Sequence, residues 1–394
     1  MPKDELTTYE AMLDQNENIA KIITPQMANV VWACGDFTVN SLSELWHKNL
    51  KENIPHYKEH GSLTDHFLGF GKNKAVIGVG GGPSLNKNKN VLHELYALNS
   101  QLHLSEQPFI IISSNKSYKT LLDMGIFPHF VILVDAGDVL YSQLCEKIPV
   151  WAKGSILICP LHVSPKIIKK WHKMGNQVCF FLTGDEKERE VFEKETGESS
   201  EKLHIQQGGN VMNTIWVLCH RILGCGVYMM VGSDLAYKFT SPEKRQSEFY
   251  ADGNYTLNIL NRRDEAKTKL DWMGFELEQS ALVPDTTIMN FNIMSTSRQM
   301  WVYKSWLEVQ SMLWSDQISF QIYNCSESGI LGVLARSLER DDLYQRDNWY
   351  LMDELLPSKW HTRTLYFAAK EFLEVLKRCQ DQAGILTGAK CTVH

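Results

Sequence analysis

The residues best suited to chemistry in this 394-residue chain fall in a few short stretches. Gly80-Gly81-Gly82-Pro83-Ser84-Leu85 follows directly on the apolar run Ala75-Val76-Ile77-Gly78-Val79. Glycines at such a turn permit positive φ and let a phosphate or ribose approach without meeting a Cβ. Pro83 stiffens the exit, and Ser84 suits either a helix cap or a donor to phosphate. A tight turn without a ligand is the competing reading. Gly208 and Gly209, ahead of Asn210, make a second anion-friendly helix start, with Asn213 one turn in. Ordinary capping by Asn210 accounts for the same residues.

Carboxylates follow other apolar runs. Asp135 and Asp138, in Val134-Asp135-Ala136-Gly137-Asp138, suit Mg²⁺ ligation or acceptance from a sugar hydroxyl. Asp138 equally suits capping a helix from Val139, whereas Asp135, straight after a buried run, requires a partner. Asp234 and Tyr237 follow the run 227–231, and Glu327 follows the run 320–323. Each is a candidate for ligand contact, with loop bracing as the alternative for Asp234. His162, after Ile158-Cys159-Pro160-Leu161, is the candidate general base, since imidazole commonly activates a hydroxyl. A solvent-exposed loop histidine is the plainer reading of that residue. Arg262 and Arg263 form a basic pair in a charged stretch, most simply a solvated face.

These residues need a frame that brings strand ends together. Seven runs, 75–79, 109–112, 130–134, 156–159, 178–182, 227–231 and 320–323, are short, continuous and rich in Ile, Val and Phe. Strands of a parallel sheet covered on both faces have this composition. Between them lie stretches of helical spacing, such as Val91, Leu92, Leu95 and Leu98, and the longer 210–223 before Gly224. Strand and helix in alternation predict a doubly wound, mostly parallel, Rossmann-like α/β sheet. Residues 1–70 form a helical or mixed N-terminal section, with apolar patches at Ile19, Ile22 and Ile23 and at Leu42, Leu45 and Trp46. The nucleotide-binding domain takes 71–335, with a polar insertion or lid at 238–284, and a helical C-terminal section takes 336–394. The stretch 360–380 reads as a helix throughout.

Composition limits the partners. With 44% hydrophobic and 22% charged residues the chain is ordinary globular material, and its net charge of −6 offers no general attraction to nucleic acid. Nine scattered cysteines include no C-x-x-C pair, so they predict reduced core thiols and no zinc or disulfide frame. No apolar run reaches about 18 residues and no export signal opens the chain, so a cytoplasmic protein without a membrane span is expected. P-loop, G-x-S-x-G and protein-kinase patterns are missing from the sequence, and the glycine turn lacks the dinucleotide-binding spacing.

The order of the blocks resembles a known family. The glycine turn is similar to the Gly-(Gly/Ala/Asn)-Gly-Pro-Ser-Leu pattern of two related groups. One comprises the motility accessory factor (Maf) flagellin glycosyltransferases and the bacterial sialyltransferases. The other comprises the archaeal 6-hydroxymethylpterin diphosphokinase MptE-like proteins. Ser113-Ser114-Asn115 ends the second strand, where the sialyltransferases carry an Asn that contacts the nucleotide. Ile126 to Asp135 resembles "G-I-x-P-D-F-V-V-x-x-D", with His129 in place of the acid. Gln207 to Thr214 resembles a "G-G-S-V-x-x-T" helix start, and Gly232-Ser233-Asp234-Leu235-Ala236-Tyr237 resembles "G-x-D-L-A-Y". Tyr323 to Gly329 is similar to "x-N-A-T-E-G-G", departing at Cys325 and Ser328.

The resemblance implies a nucleotide held by Gly80, Gly81, Gly82, Pro83, Ser84 and Asn115, with Gly208, Gly209, Asn213, Asp234, Tyr237 and Glu327 around it. It implies a glycosyltransferase that takes a nucleotide sugar, a CMP-linked nonulosonic acid by analogy, and passes the sugar to a protein or glycan hydroxyl. His162 or Asp135 would serve the chemistry, and no metal is needed. The alternative is a diphosphokinase moving diphosphate from ATP to a pterin-like alcohol, with Mg²⁺ on Asp135 and Asp138. A scaffold that keeps the fold without catalysis is the third reading.

Overall fold

Successive side chains of a strand point to opposite faces, so a strand covered on both sides must be apolar throughout. The computed structural model describes residues 25–146, 148–149, 152–205 and 207–236. Beyond these it describes 238–241, 246–248, 256–258, 281–284, 291–294, 298–313, 321–331, 333–335, 349–351 and 360–390. All seven apolar runs become strands of one sheet: β1 (Ala75–Val79), β2 (Phe109–Ser114), β3 (Phe130–Ile132), β4 (Ile156–Pro160), β5 (Val178–Phe181), β6 (Val227–Val231) and β7 (Gln321–Asn324). An eighth, β8 (Trp360–Thr362), adds to the edge and corrects the expectation of helix through that stretch. Three residues with only one strand neighbour leave too short a pattern to read.

The order across the sheet is β8-β7-β6-β1-β2-β3-β4-β5, and every pairing is parallel. The fold is therefore the doubly wound α/β, Rossmann-like sheet that the alternation predicts. From β1 the chain runs outward to β5, then returns to place β6 on the other side of β1. That reversal makes β1 and β6 the switch point, where the connecting helices leave in opposite directions and open a crevice.

Alternation along β1 shows the two-faced packing. Val76 faces α7 (Val211–Arg221), whose Ile215, Trp216, Leu218 and Cys219 are buried in the same cluster. Ala75, Ile77 and Val79 face α3 (Leu85–Ser100), with Leu85 and Leu92 beneath, and α9 (Leu365–Lys390), with Leu365 and Ala368. A third cluster joins β4 to three helices: α1 (Pro25–His60) through Leu50, Ile54 and Tyr57, α5 (Pro165–Lys173) through Ile167, Ile168 and Trp171, and α6 (Glu186–Thr196) through Phe192. Phe180 and Phe181 are fully buried, and each such side chain contributes about 1.5–3 kcal/mol.

Two helices have caps written in the sequence. Asp185 accepts from the Lys187 N–H at 3.2 Å to start α6, which ends on Gly197 at φ 74°. Asn210 accepts from the Asn213 N–H at 2.9 Å to start α7. α1 carries Pro55 within it, which removes one helical N–H, and ends where Gly61 donates to the Tyr57 carbonyl at 2.7 Å. The patch at Ile19, Ile22 and Ile23 lies outside the described residues, as do Arg262 and Arg263. Within the expected insertion, Lys238–Ser241, Gln246–Glu248 and Thr256–Asn258 pair as an antiparallel meander. None of the described helices is long and apolar enough to cross a membrane.

His129 stands where the resembled pattern has an acid, and its place is structural. It sits just ahead of β3, so it lies at the end of the sheet away from the crevice. Its Nδ1 accepts from the Ile111 N–H at 3.1 Å and its Nε2 faces Gln107 Oε1 at 2.6 Å. That pairing needs the neutral ring, and burial pushes its pKa down to about 4 from 6.5. A base whose folded pKa is depressed keeps its full stability above pH 6.5 and loses it as pH falls through about 4. At about 1.36 kcal/mol per unit, acidification across that window costs about 3 kcal/mol from this side chain. Urea titrations between pH 7 and 4 on the parent and on His129→Gln should show the parent losing about that much more; parallel losses would refute it.

Candidate functional site

The turn after β1 packs against the turn after β6 at backbone distance. Gly80 N–H donates to the Val231 carbonyl at 2.7 Å, and Gly82 N–H to the Gly232 carbonyl at 2.9 Å. A Cβ on Gly80 would lie 2.3 Å from the Gly232 oxygen, and one on Gly232, at φ 64°, would lie 2.5 Å from the Gly80 oxygen. None of Gly80, Gly81 and Gly82 has positive φ, which corrects the conformational reason given from the sequence. Close approach of two backbones at the switch point is the reason for Gly80. Gly329, at φ 92°, brings the turn after β7 onto the Asp234 backbone, where a Cβ would meet the carbonyl oxygen at 2.3 Å.

Asp234 is the hub of these turns. Its Oδ2 accepts from Ser84 N–H at 3.2 Å and from Ser84 Oγ at 2.8 Å. The serine hydroxyl is thus turned to the carboxylate, and a Cβ on Gly82 would fall 2.0 Å from the same oxygen. Asp234 is buried, and its Oδ1 has no hydrogen-bond partner. Burial raises its pKa from 3.8 to about 6, against the pull of Ser84 and Lys87. A carboxylate therefore braces the N–H and hydroxyl of Ser84, the residue just ahead of α3, where the sequence allowed a phosphate.

The neighbouring strand ends complete the crevice. Past β2, Ser117 Oγ donates to the Val79 carbonyl at 2.6 Å and meets Ser113 and Ser114 Oγ at 3.1 and 2.9 Å. This hydroxyl cluster ties β2 to the end of β1. Asn115, largely buried, donates its N–H to the Ile132 carbonyl at 3.0 Å. Lys87, on the first turn of α3, reaches across to the Glu327 carbonyl at 2.6 Å. Glu327 itself is half-buried at φ 56°, and burial raises its carboxyl above the usual range.

Asp135 and Asp138 part company. Asp135, three residues past the end of β3, is exposed to solvent. Burial raises its pKa, opposed by His162 and then by Lys116. Asp138 lies out on the surface, where Ser164 Oγ donates to Oδ1 at 2.6 Å and Lys166 pairs with Oδ2. Lys166 and then Ser164 hold its carboxyl below the usual range. Its side chain is engaged by Ser164 and Lys166 at the start of α5.

His162 is buried, which corrects the expectation of an exposed loop histidine. Its Nδ1 meets Glu188 Oε1 at 2.7 Å, its Nε2 meets the Val134 carbonyl at 3.2 Å, and Trp46 stacks on the ring at 4.6 Å. Both nitrogens face acceptors, so neither presents a lone pair to the crevice. Burial would raise the Glu188 pKa, but His162 and the Thr183 hydrogen bonds outweigh it and hold it low. His162 thus braces the Val134–Asp135 link from below. Gly208 and Gly209 have positive φ, and Trp306 and Tyr303 of α8 (Arg298–Leu313) lie 2.3 and 2.5 Å from where their Cβ atoms would be. Asn213 Nδ2 donates to the Gly208 and Tyr303 carbonyls at 2.7 and 2.9 Å, so this helix start is covered by α8. Tyr237 lies outside the described residues.

The family model described as 6-hydroxymethylpterin diphosphokinase MptE-like matches residues 48–240. The matched segment includes the β1, β2, β3 and β6 turns and stops short of Glu327 and Gly329. A solved structure of the Maf glycosyltransferase from Magnetospirillum magneticum AMB-1 is similar at 15% identity and a TM-score of 0.46. That similarity covers 72% of this chain, which spans 37% of the other. No curated protein matches the chain.

Sequence reasoning missed Lys87, Lys116, Ser117 and Glu188. Lys116 and Ser117 directly follow Asn115, so their position was a usable signal. Glu188 had none, being 26 residues from the histidine it meets. The Asp234 brace yields a prediction. An acid whose folded pKa is raised keeps its stability below pH 3.8 and loses it as pH rises through about 6, here about 3 kcal/mol. Asp234→Asn should remove that loss between pH 4 and 7.5, measured as urea midpoints across the range. An unchanged pH slope in the variant would show that the carboxyl is not strained.

Proposed function

We propose that the chain is a nucleotide-dependent transferase whose ligand lies over the β1/β6 switch point, and that it transfers a sugar from a nucleotide sugar. The observation that supports this best is the convergence of three glycine-containing turns with Asn115 and Asp135 at one crevice. Gly80, Gly81, Gly82 and Pro83 would line the nucleotide side, with Asn115 beside the base or ribose. Asp234 and Ser84 position the turn, and Lys87 holds the Glu327 loop against it. Asn213, Gly208 and Gly209 would serve by anchoring α8.

Asp135 is the catalytic residue of this reading. Its raised pKa makes the carboxylate a better base for an acceptor hydroxyl at near-neutral pH. It takes the acceptor proton as the oxygen attacks the anomeric carbon, and the nucleotide phosphate departs with the bonding pair. Lys116 lies close enough to interact with Asp135 and would offset charge on the leaving phosphate. A CMP-linked nonulosonic acid is the donor proposed, with a protein or glycan hydroxyl as acceptor. Seven cysteines among the described residues are free thiols, six of them buried, which suits a reducing, cytoplasmic setting.

The second reading is diphosphoryl transfer from Mg-ATP, the activity in the family model's description. Its two-aspartate metal site is disfavoured by the engagement of Asp138 with Lys166 and Ser164. Asp135 alone would remain as a protein ligand.

A thermal-shift panel of CMP, CDP, UDP, GDP, ATP and AMP, with and without Mg²⁺, separates the readings. A ligand at a hundred times its Kd adds about 2.7 kcal/mol. CMP acting without metal is the expected result, and stabilisation by ATP only with Mg²⁺ would replace the first reading by the second. With a donor in hand, Asp135→Asn should lower kcat by on the order of 100- to 10,000-fold and leave nucleotide affinity intact. Full turnover in that variant would remove Asp135 from the chemistry.

A further inference from the structure

The C-terminal end of α1 carries His56, Glu59 and His60, spaced i, i+3 and i+4 on one helix face. One ligand atom from each lies within 4.8 Å of the others. The two imidazole rings are 6.4 Å apart and nearly parallel. α5 brings a third imidazole to the same place: the His172 ring lies 5.0 Å from that of His60, tilted by 55°. These residues are separate from the crevice. Asn49 of α1 reaches the strand-end loops, whereas His60 lies eleven residues further on, about 16 Å along the helix axis.

The cluster is incomplete as protein alone. His60 Nε2 is buried with no hydrogen-bond partner, and the nearest carboxylate oxygen, Glu59 Oε2, is 3.9 Å away. Histidines in a last helical turn are often explained by the helix dipole. That account covers His60 but neither the orphaned nitrogen nor the third imidazole from another helix. Burial, then the charge of Lys169, lowers the His56 pKa against Glu59, and burial likewise lowers that of His60. In its neutral form each ring offers a nitrogen lone pair to a cation. Lys169 is exposed on a flexible stem, so its ammonium can swing away from an arriving cation.

We propose that His56, Glu59, His60 and His172 form a binding site for a divalent transition metal of the zinc class, joining the end of α1 to the end of α5. Three imidazoles and one carboxylate are the donors Zn²⁺ prefers, whereas Mg²⁺ and Ca²⁺ require mainly oxygen. His56, Glu59 and His60 already hold ligand atoms within 4.8 Å of one another, and a rotation of the exposed His172 side chain, whose ring is 5.0 Å from that of His60, would supply the fourth ligand of a closed, structural tetrahedron. Its role is to fasten the N-terminal helix to the sheet's β5 edge, and it holds whether or not the crevice binds a nucleotide.

The test uses the full chain, stripped with EDTA, dialysed and titrated with ZnCl₂ against a chromophoric chelator. One equivalent is expected to bind, and Zn²⁺ at a hundred times its Kd should raise stability by about 2.7 kcal/mol. His56→Ala with His60→Ala should weaken Kd by on the order of 100-fold or more. Glu59→Gln and His172→Gln, milder surface changes that keep the fold, should each weaken it by at least about tenfold. His103→Ala, at an exposed histidine elsewhere, should change nothing. Absence of stoichiometric binding in the parent, or undiminished binding in Glu59→Gln and His172→Gln together, would overturn the site. Circular dichroism of every variant separates loss of ligand from loss of fold.

Discussion

Gly80 and Gly232 each hold a carbonyl oxygen where the other's Cβ would stand, and the crevice depends on that contact. The parallel pairing of β1 with β6 carries the two backbones side by side to the sheet's edge. Beyond the edge, any side chain at either position would pry the turns apart. Because they stay in contact, Asp234 reaches the Ser84 N–H just ahead of α3, and Gly329 can lie on the Asp234 backbone in turn. Loss of contact at one point would therefore release three loops. Overpacking of this kind costs about 1–3 kcal/mol even where neighbours yield, and here the neighbours are backbone.

Much of the frame was legible because a two-faced parallel strand has to be apolar at every position. The seven runs gave seven strands, two with the same bounds and the others with edges one or two residues off. The β8 strand was not legible, since three residues paired on one side carry no pattern. The glycine turn was found for a partly mistaken reason: its glycines serve close approach and have ordinary φ. The roles of Ser84 and His162 were hidden by distance along the chain. Ser84 pairs with an acid 150 residues away, and His162 meets Glu188 on α6, 26 residues further along. Residue type and local spacing show that a group can do chemistry. Which partner it is given is decided by topology, and only the fold reveals it.

Two buried groups titrate in opposing directions over almost the same pH range. His129 is held neutral by its hydrogen bonds and burial, while Asp234 is held near neutrality by burial alone. Acidification charges the first and discharges the second, so their contributions to stability partly cancel. The pH dependence that either group would give alone is therefore reduced when both are present. The cancellation is a property of two distant ends of the sheet, since His129 precedes β3 and Asp234 follows β6.

α1 has a further consequence. Asn53 Nδ2 donates to the Leu161 and Val163 carbonyls at 2.8 Å each, and Asn49 Nδ2 reaches the His162 carbonyl at 3.0 Å. Each amide thus waits on a loop more than 100 residues downstream. At roughly 5–20 residues per second, a ribosome takes on the order of 5–20 s to deliver that loop after Asn53 has been made. Through that interval the helix emerges with its apolar face, Leu50, Ile54 and Tyr57, uncovered and its amides bonded only to water. The first of the described helices to be synthesised is thus fixed to the sheet only after β4 and its loop have been made.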